Sequence, residues 1–139
     1  STKGCLAYVI VADQFTRNVY RGDAKSFAYD GDAQQLVRAC IESGKDVAIY
    51  ELHPVFLLFL LMPLMHSEKL EDHDLRTKRH AFFLEKLPKN HPLYAFFSYQ
   101  KGIGHREQIE KFGRYPKRNQ VLGRQSTKEE IEWMQNNAK

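Results

Sequence analysis

Apolar residues recur along this chain at intervals of three and four and almost nowhere in strict alternation, a pattern that predicts helices. Cys5, Leu6, Val9, Ile10 and Ala12 carry the first, from Gly4 to Gln14, although its β-branched residues also suit a strand. Asp30 is placed to cap a second, built on Ala33, Leu36, Val37, Ala39, Cys40 and Ile41, and Gly44 supplies a natural stop. Pro54 stands where a first-turn proline belongs and opens an apolar helix, Val55 to Met65. Pro63 lacks a backbone donor and crowds the preceding turn, so this helix is expected to kink or end near Met62. Glu68 to Leu87 is the next helix, with Leu70, Ala81, Leu84 and Leu87 as its buried stripe and Pro88 as its end. Ser67 is placed to cap it, and Glu68 favours its positive end.

Leu93 to Phe112 sets Leu93, Phe96, Phe97, Ile109 and Phe112 on one face, with Gly102 and Gly104 weakening its middle. Gly113 to Gln125 has no period, and Tyr115-Pro116 reads as a turn. Thr127 with Glu130 three residues on is a capping box for a last helix, whose apolar contacts are Ile131 and Met134. The expectation is one all-α domain over residues 1–139, with six or seven helices joined by short links. No repeat of about 33 to 47 residues is visible, so a regular solenoid does not follow from the pattern.

Composition narrows the class. At 139 residues, 42% apolar and 27% charged, the chain can form a core without disulfides or a metal. Cys5 and Cys40 cannot make a disulfide framework or a four-cysteine zinc site, and they suit a reducing compartment. Leu6 to Val11 is too short for the core of a signal peptide. The longest apolar run, Val55 to Met65, falls well short of the roughly 20 residues that span a bilayer. A cytoplasmic protein without membrane insertion is expected. The net charge is +4, but Lys101, Arg106, Lys111, Arg114, Lys117, Arg118 and Arg124 crowd one segment against only Glu107 and Glu110. Such a segment is either an anion site or a solvated face.

Few candidates for chemistry emerge. His66, His73 and His80 are seven apart, which on a helix separates neighbours by about 10 Å along the axis. Zinc ligands sit about 2.1 Å from a shared ion, so no metal is expected, and these histidines read as exposed helix-surface residues. No phosphate-cradling loop, dinucleotide fingerprint or nucleophile elbow occurs, and no cofactor is implied. Asp13-Gln14-Phe15-Thr16-Arg17-Asn18 reads as an inter-helix polar clamp or as part of an anion site. Arg114, Arg118 and Arg124 either fork onto a ligand's carboxylates or phosphates, or hold a long loop against the helices.

Five ordered blocks carry a resemblance. They are Asp13-Gln14-Phe15-x-Arg17-Asn18, Tyr20-Arg21-Gly22, Pro63-Leu64-Met65-His66-Ser67-Glu68, Phe112-Gly113-Arg114-Tyr115-Pro116-x-Arg118-Asn119, and Leu122-Gly123-Arg124-x-Ser126-Thr127-x-Glu129-Glu130. Together they span about Leu6 to Met134 and resemble the mostly bacterial family known as domain of unknown function 924. The resemblance implies a tetratricopeptide-like fold of packed antiparallel helices and no particular activity. It maps recurrent polar positions onto Asp13, Arg17, Asn18, Arg21, His66, Ser67, Glu68, His105, Arg114, Arg118, Asn119 and Arg124. Thr16 departs from the usual proline, and Leu57 and Leu61 replace an arginine and a tyrosine. Similar proteins carry a further N-terminal helix or two, whose lack would expose an apolar face of the first helix to another chain or a second copy.

The expected function is a binding module with a basic polar groove for a small anionic ligand or a peptide. Arg17, Arg114, Arg118 and Arg124 would hold the anion, Asn18 and Asn119 would orient it, Glu68 would fix an arginine, and His66 and His105 would flank it. The alternatives are a hydrolase of a small phosphorylated or carboxylated substrate with His66 or His105 as base, and a ligand-free scaffold. RNA binding through Lys101 to Arg124, with Phe112 and Tyr115 stacking, ranks last.

Overall fold

The computed structural model describes residues 1–138, and these fold into eight helices without a strand. Thr2–Val9, a π-helical stretch Ile10–Phe15 and Thr16–Val19 run on as one helix, α1. After a 3-10 turn at Ala24–Phe27 come α2 (Asp30–Glu42), α3 (Lys45–Leu52), α4 (Pro54–Met65) and α5 (Leu70–Lys86). The chain continues as α6 (Tyr94–Tyr99), α7 (Ile103–Phe112), a 3-10 turn at Pro116–Arg118 leading into a helical turn Asn119–Leu122, and α8 (Lys128–Asn136).

The core is built around α4. Leu57, Leu60, Leu61 and Leu64 are fully buried, and α1, α2, α3, α5 and α6 all pack on this helix. A helix packed against five others needs apolar residues on most of its sides, which is why Val55 to Met65 shows no polar face, although Phe56 is 40% exposed. Val9 of α1, Val37 of α2, Ile49 of α3, Phe83 of α5 and Phe97 of α6 complete the cluster. Burying each such side chain contributes roughly 1.5–3 kcal/mol. Leu57 and Leu61, where the resemblance would put an arginine and a tyrosine, lie in this core. The opposite side of α1 leaves Tyr8, Val11, Phe15 and Val19 exposed.

Several expectations are corrected. There are eight helices rather than six or seven, because α3 carries little periodic signal and because the stretch Leu93 to Phe112 is broken. The break falls at Gly102, whose φ of 68° suits glycine and starts α7 afresh. Pro63 does not end its helix, which runs on to Met65 with the proline buried in its last turn. Asp30 does not cap α2. Tyr29 holds that position, and Asp30 turns into the protein from the first helical turn. Ser67 does not cap α5 in the strict sense, since Lys69 is the capping residue. Gly113 to Gln125 is not wholly irregular, since it contains the two short helical turns.

The histidine expectation fails on α5. His73 and His80 are buried, and the residues of α5 facing inward are Asp72, His73, Arg76, His80 and Phe83; of the expected stripe, Leu87 is buried and Leu84 packs half-buried on the core, while Leu70 is half-buried and Ala81 exposed. Burial of so many polar groups is tolerated because nearly all are bonded. Arg38 donates to both Asp72 oxygens, and His73 and His80 reach the carbonyls of Ser67 and Phe97 at 2.7 and 2.9 Å. The two cysteines meet between α1 and α2, where the structure pairs Cys5 with Cys40 as a disulfide. Reduced thiols were the expectation. Among the described residues no helix is long and apolar enough to cross a membrane.

Candidate functional site

The π-helical stretch of α1 widens one turn at Asp13 and leaves its carboxylate buried in the protein. Three elements converge on it. From the end of α4, His66 brings Nδ1 to 2.7 Å from Asp13 Oδ1. From one turn further along α1, Arg17 donates to the same oxygen at 3.1 Å. The Arg17 fork also grips Asp30 of α2 with two bonds of 2.8 Å. Burial raises the Asp13 pKa, but the His66 hydrogen bond and the charges of His66 and Arg17, with Gln14, outweigh it and hold the carboxyl below its usual range.

Arg118 closes this centre from the 3-10 turn 116–118. Its guanidinium lies between the rings of Phe27 and Tyr115, 4.6 and 4.5 Å from their centroids. Nη2 donates to the His66 carbonyl at 2.8 Å. Nη1 stops 3.9 Å from Asp30, beyond hydrogen-bonding distance. Burial and the nearby Arg17 lower the Arg118 pKa. Among the described residues neither Arg118 Nη1 nor His66 Nε2 hydrogen-bonds a protein group, and both side chains are largely but not wholly covered, at 14% and 17% exposure. His105, in the first turn of α7, sets its ring edge-on to Tyr115 at 6.0 Å. Loss of solvent and then the neighbouring His66, His73, Arg76 and Arg118 depress its pKa.

A second cluster joins the C-terminal segment to the end of α4. Arg124 forks onto Glu68 at 2.9 and 3.1 Å, its Nε donates to Asn119 Oδ1, and Glu68 also accepts the Tyr115 backbone N–H. Arg114 forks onto Glu130 at 3.0 and 2.7 Å, and Asn119 donates to the same carboxylate. Thr127 and Glu130 form the expected capping box, so one carboxylate both starts α8 and holds Arg114. The Arg114 bond is the main cause of a Glu130 pKa of about 2. For Glu68, burial pulls the pKa up and the Arg124 bond, with Tyr115 N–H, brings it below its usual value.

The twelve sequence candidates therefore separate. Asp13, Arg17, His66 and Arg118 form one centre, with His105 beside Tyr115 at its edge. Glu68, Arg114, Asn119 and Arg124 form the paired cluster. Ser67 is buried, donating to Asp72 at 2.6 Å and accepting from the Lys69 N–H. Asn18 and Arg21 lie on the exposed end of α1, bonded to each other and, through Asn18, to the Gln14 carbonyl. Of the basic segment, Arg106, Arg114 and Arg124 each hold carboxylates, while Lys101, Lys111 and Lys117 are exposed. Sequence reasoning missed Asp30 as the partner of Arg17, because an acid before a helix reads first as a cap. It also missed Phe27, which had no signal within its short turn.

Fold and side chains together define an all-helical protein with a polar centre where α1, α2, α4 and the 3-10 turn 116–118 meet. The chain belongs to the family described as bacterial protein of unknown function, DUF924, whose profile spans residues 1–138. A solved structure of a protein of unknown function from Agrobacterium tumefaciens is similar, with a TM-score of 0.78 and 27% identity. The match covers 98% of this chain and 69% of that one. No curated protein matches the chain.

Proposed function

We propose that the protein binds a small oxyanion, phosphate or carboxylate, between His66 and Arg118. One observation carries this reading: Arg17, Arg38, Arg79, Arg106, Arg114 and Arg124 are held by carboxylates, whereas His66 Nε2 and Arg118 Nη1, on two residues joined by the Arg118 Nη2 bond to the His66 carbonyl, make no hydrogen bond among the described residues. The surroundings favour a negative guest. Asp13 and Asp30 are both hydrogen-bonded to Arg17, so Arg118 shares Asp30 only at 3.9 Å and hydrogen-bonds no carboxylate. Arg17, Arg114 and Arg124, assigned to the anion on sequence grounds, act instead through their carboxylate partners. A tetratricopeptide-like arrangement is part of the proposal, supported by the short links and by the successive packing of α3 on α4 and α4 on α5.

The test is thermal denaturation with inorganic phosphate, nucleotides and dicarboxylates, on the wild type and Arg118→Gln. A midpoint raised by several degrees in the wild type alone supports the site. Equal response in both, or none in either, removes it.

A second reading is favoured by the Asp13–His66 pair. A buried carboxylate that fixes Nδ1 and leaves Nε2 unbonded is the arrangement of a general base. On this reading the protein hydrolyses a small phosphate or carboxylate ester, with Arg118 stabilising the charge that develops. Turnover of a phenyl phosphate or acetate ester that disappears in His66→Gln favours hydrolysis, and its absence leaves binding alone.

A further inference from the structure

Helix α1 packs on α2, α3 and α4 along one side. Its other side is apolar and bare: Tyr8, Val11, Phe15 and Val19 are 45% to 72% exposed, and Tyr20 continues the row. Gly4 and Ala7, also exposed, lead into it. In an α-helix a spacing of four residues drifts about 40° around the axis at each step. The π-helical stretch Ile10–Phe15 has a wider turn, which reduces that drift and keeps Val11, Phe15 and Val19 in line. Beside Tyr8 the row opens on a groove of about 440 Å³, whose other lining residues are Asp32, Gln35, Leu36 and Ala39 of α2.

Three features of this face say what fits it. First, α1 brings no free charge to it. Between Gly4 and Tyr20 the charged residues are Asp13 and Arg17, which are bonded to each other, and Lys3 and Arg21 stand at the two ends. A seam that chooses a foreign helix does so with charges along its edges, and α1 carries none there. Second, the row complements itself when reversed. Laid antiparallel on a second copy about an axis beside Val11, it sets Gly4 opposite Val19, Tyr8 opposite Phe15 and Lys3 opposite Tyr20. Val19 then meets a residue without a side chain, the Phe15 ring reaches the groove beside Tyr8, and an ammonium lies over a phenol ring. Third, the area suits a weak dimer. The exposed parts of Tyr8, Val11, Phe15, Val19 and Tyr20 come to roughly 500 Å² per copy, against about 800 Å² in a stable interface of standard size.

We propose that the outward face of α1 is an interface with a second copy of this chain, the two α1 helices lying antiparallel across a two-fold axis. Antiparallel packing also opposes their dipoles, which is favourable. The modest area makes the dimer a weak one, with a Kd of about 10–100 µM. Lys3 of one copy comes near Arg21 of the other at both ends, a like-charge contact that salt screens. The interface is separate from His66 and Arg118 and does not depend on the reading given to them.

The experiment is sedimentation equilibrium over about 5–500 µM protein, on the wild type, Phe15→Asp and Lys3→Glu, at about 0.05 and 0.5 M salt. The wild type should pass from monomer to dimer within this range and pair more tightly at high salt. Phe15→Asp should stay monomeric while melting near the wild-type temperature, since Phe15 lies on the surface and not in the core. Lys3→Glu gains Arg21 of the other copy as a partner, so it should pair about fivefold more tightly or better, and salt should now loosen it. A wild type that stays monomeric throughout overturns the proposal and leaves the face to a different chain. Dimerisation that survives Phe15→Asp overturns it too, by placing the interface elsewhere. A Lys3→Glu protein that pairs no better than the wild type overturns the antiparallel arrangement.

Discussion

Two polar regions flank the end of α4, and they are wired differently. In the C-terminal cluster every charged group has a full set of partners: Arg114 with Glu130, Arg124 with Glu68, and Asn119 bridging the two pairs. In the centre around Asp13 the wiring is complete on one side only. Arg17 is saturated by Asp13 and Asp30, whereas His66 and Arg118 each present an unused donor or acceptor beside a partly open surface. Both regions hold arginines at similar exposure, so charge alone does not separate a clamp from a site. Unfilled bonding capacity does.

The contrast predicts opposite mutational signatures. The largest effect on folding belongs to Glu130→Ala, which strands Arg114 and Asn119 and removes the Glu130 half of the α8 capping box. About 3 kcal/mol of stability should go, less than a fully buried pair would cost because Arg114 is 28% exposed. Chemical denaturation measures this, and phosphate binding by the folded fraction should persist. Arg124→Ala comes next. Both it and Glu68 are about a quarter exposed, so the loss should be about 1–2 kcal/mol.

Acid should unpick this cluster, and with it the Asp13 bonds of the other region. A carboxylate whose folded pKa is depressed stabilises the fold above its unfolded pKa and loses that contribution as pH falls through the folded value. For Glu130, at about 2, and for Glu68 and Asp13, both below their usual values, stability should fall between about pH 5 and 2. Melting curves should show this decline, and Glu130→Gln should flatten it. The smallest folding effect is expected at the other region. Arg118→Gln gives up ring contacts and one carbonyl bond, worth about 1 kcal/mol, yet it should abolish the phosphate response. If Arg118→Gln instead destabilises as much as Glu130→Ala, the distinction between the two regions is lost.

Local signals carried much of the fold. Pro54 at the first turn of α4, Gly44 after α2 and the Thr127 to Glu130 box all act on their immediate neighbours, and each was legible in a few residues. The buried face of α5 was not. Its stripe consists of Asp72, His73, Arg76 and His80, polar residues whose burial depends on carbonyls at Ser67 and between Phe97 and Lys101. A hydrophobic pattern has no access to partners that distant. The same limit applies to the site. The Arg-Asn blocks marked the right segments, but which arginine was spent on which acid depended on contacts such as Arg124 with Glu68, 56 residues apart. The π-helical turn that exposes Asp13 to His66 left no trace in the periodicity either.

The central claim is that His66 and Arg118 form a site while their neighbours form clamps. Its most direct test follows the imidazole nitrogen signals of His66 by NMR as inorganic phosphate is added, in the wild type and in Arg118→Gln. The account predicts that Nε2 shifts and saturates in the wild type while Nδ1 keeps its bond to Asp13, and that the saturation is lost in the variant. An Nε2 signal that stays fixed throughout the wild-type titration would make this centre one more clamp.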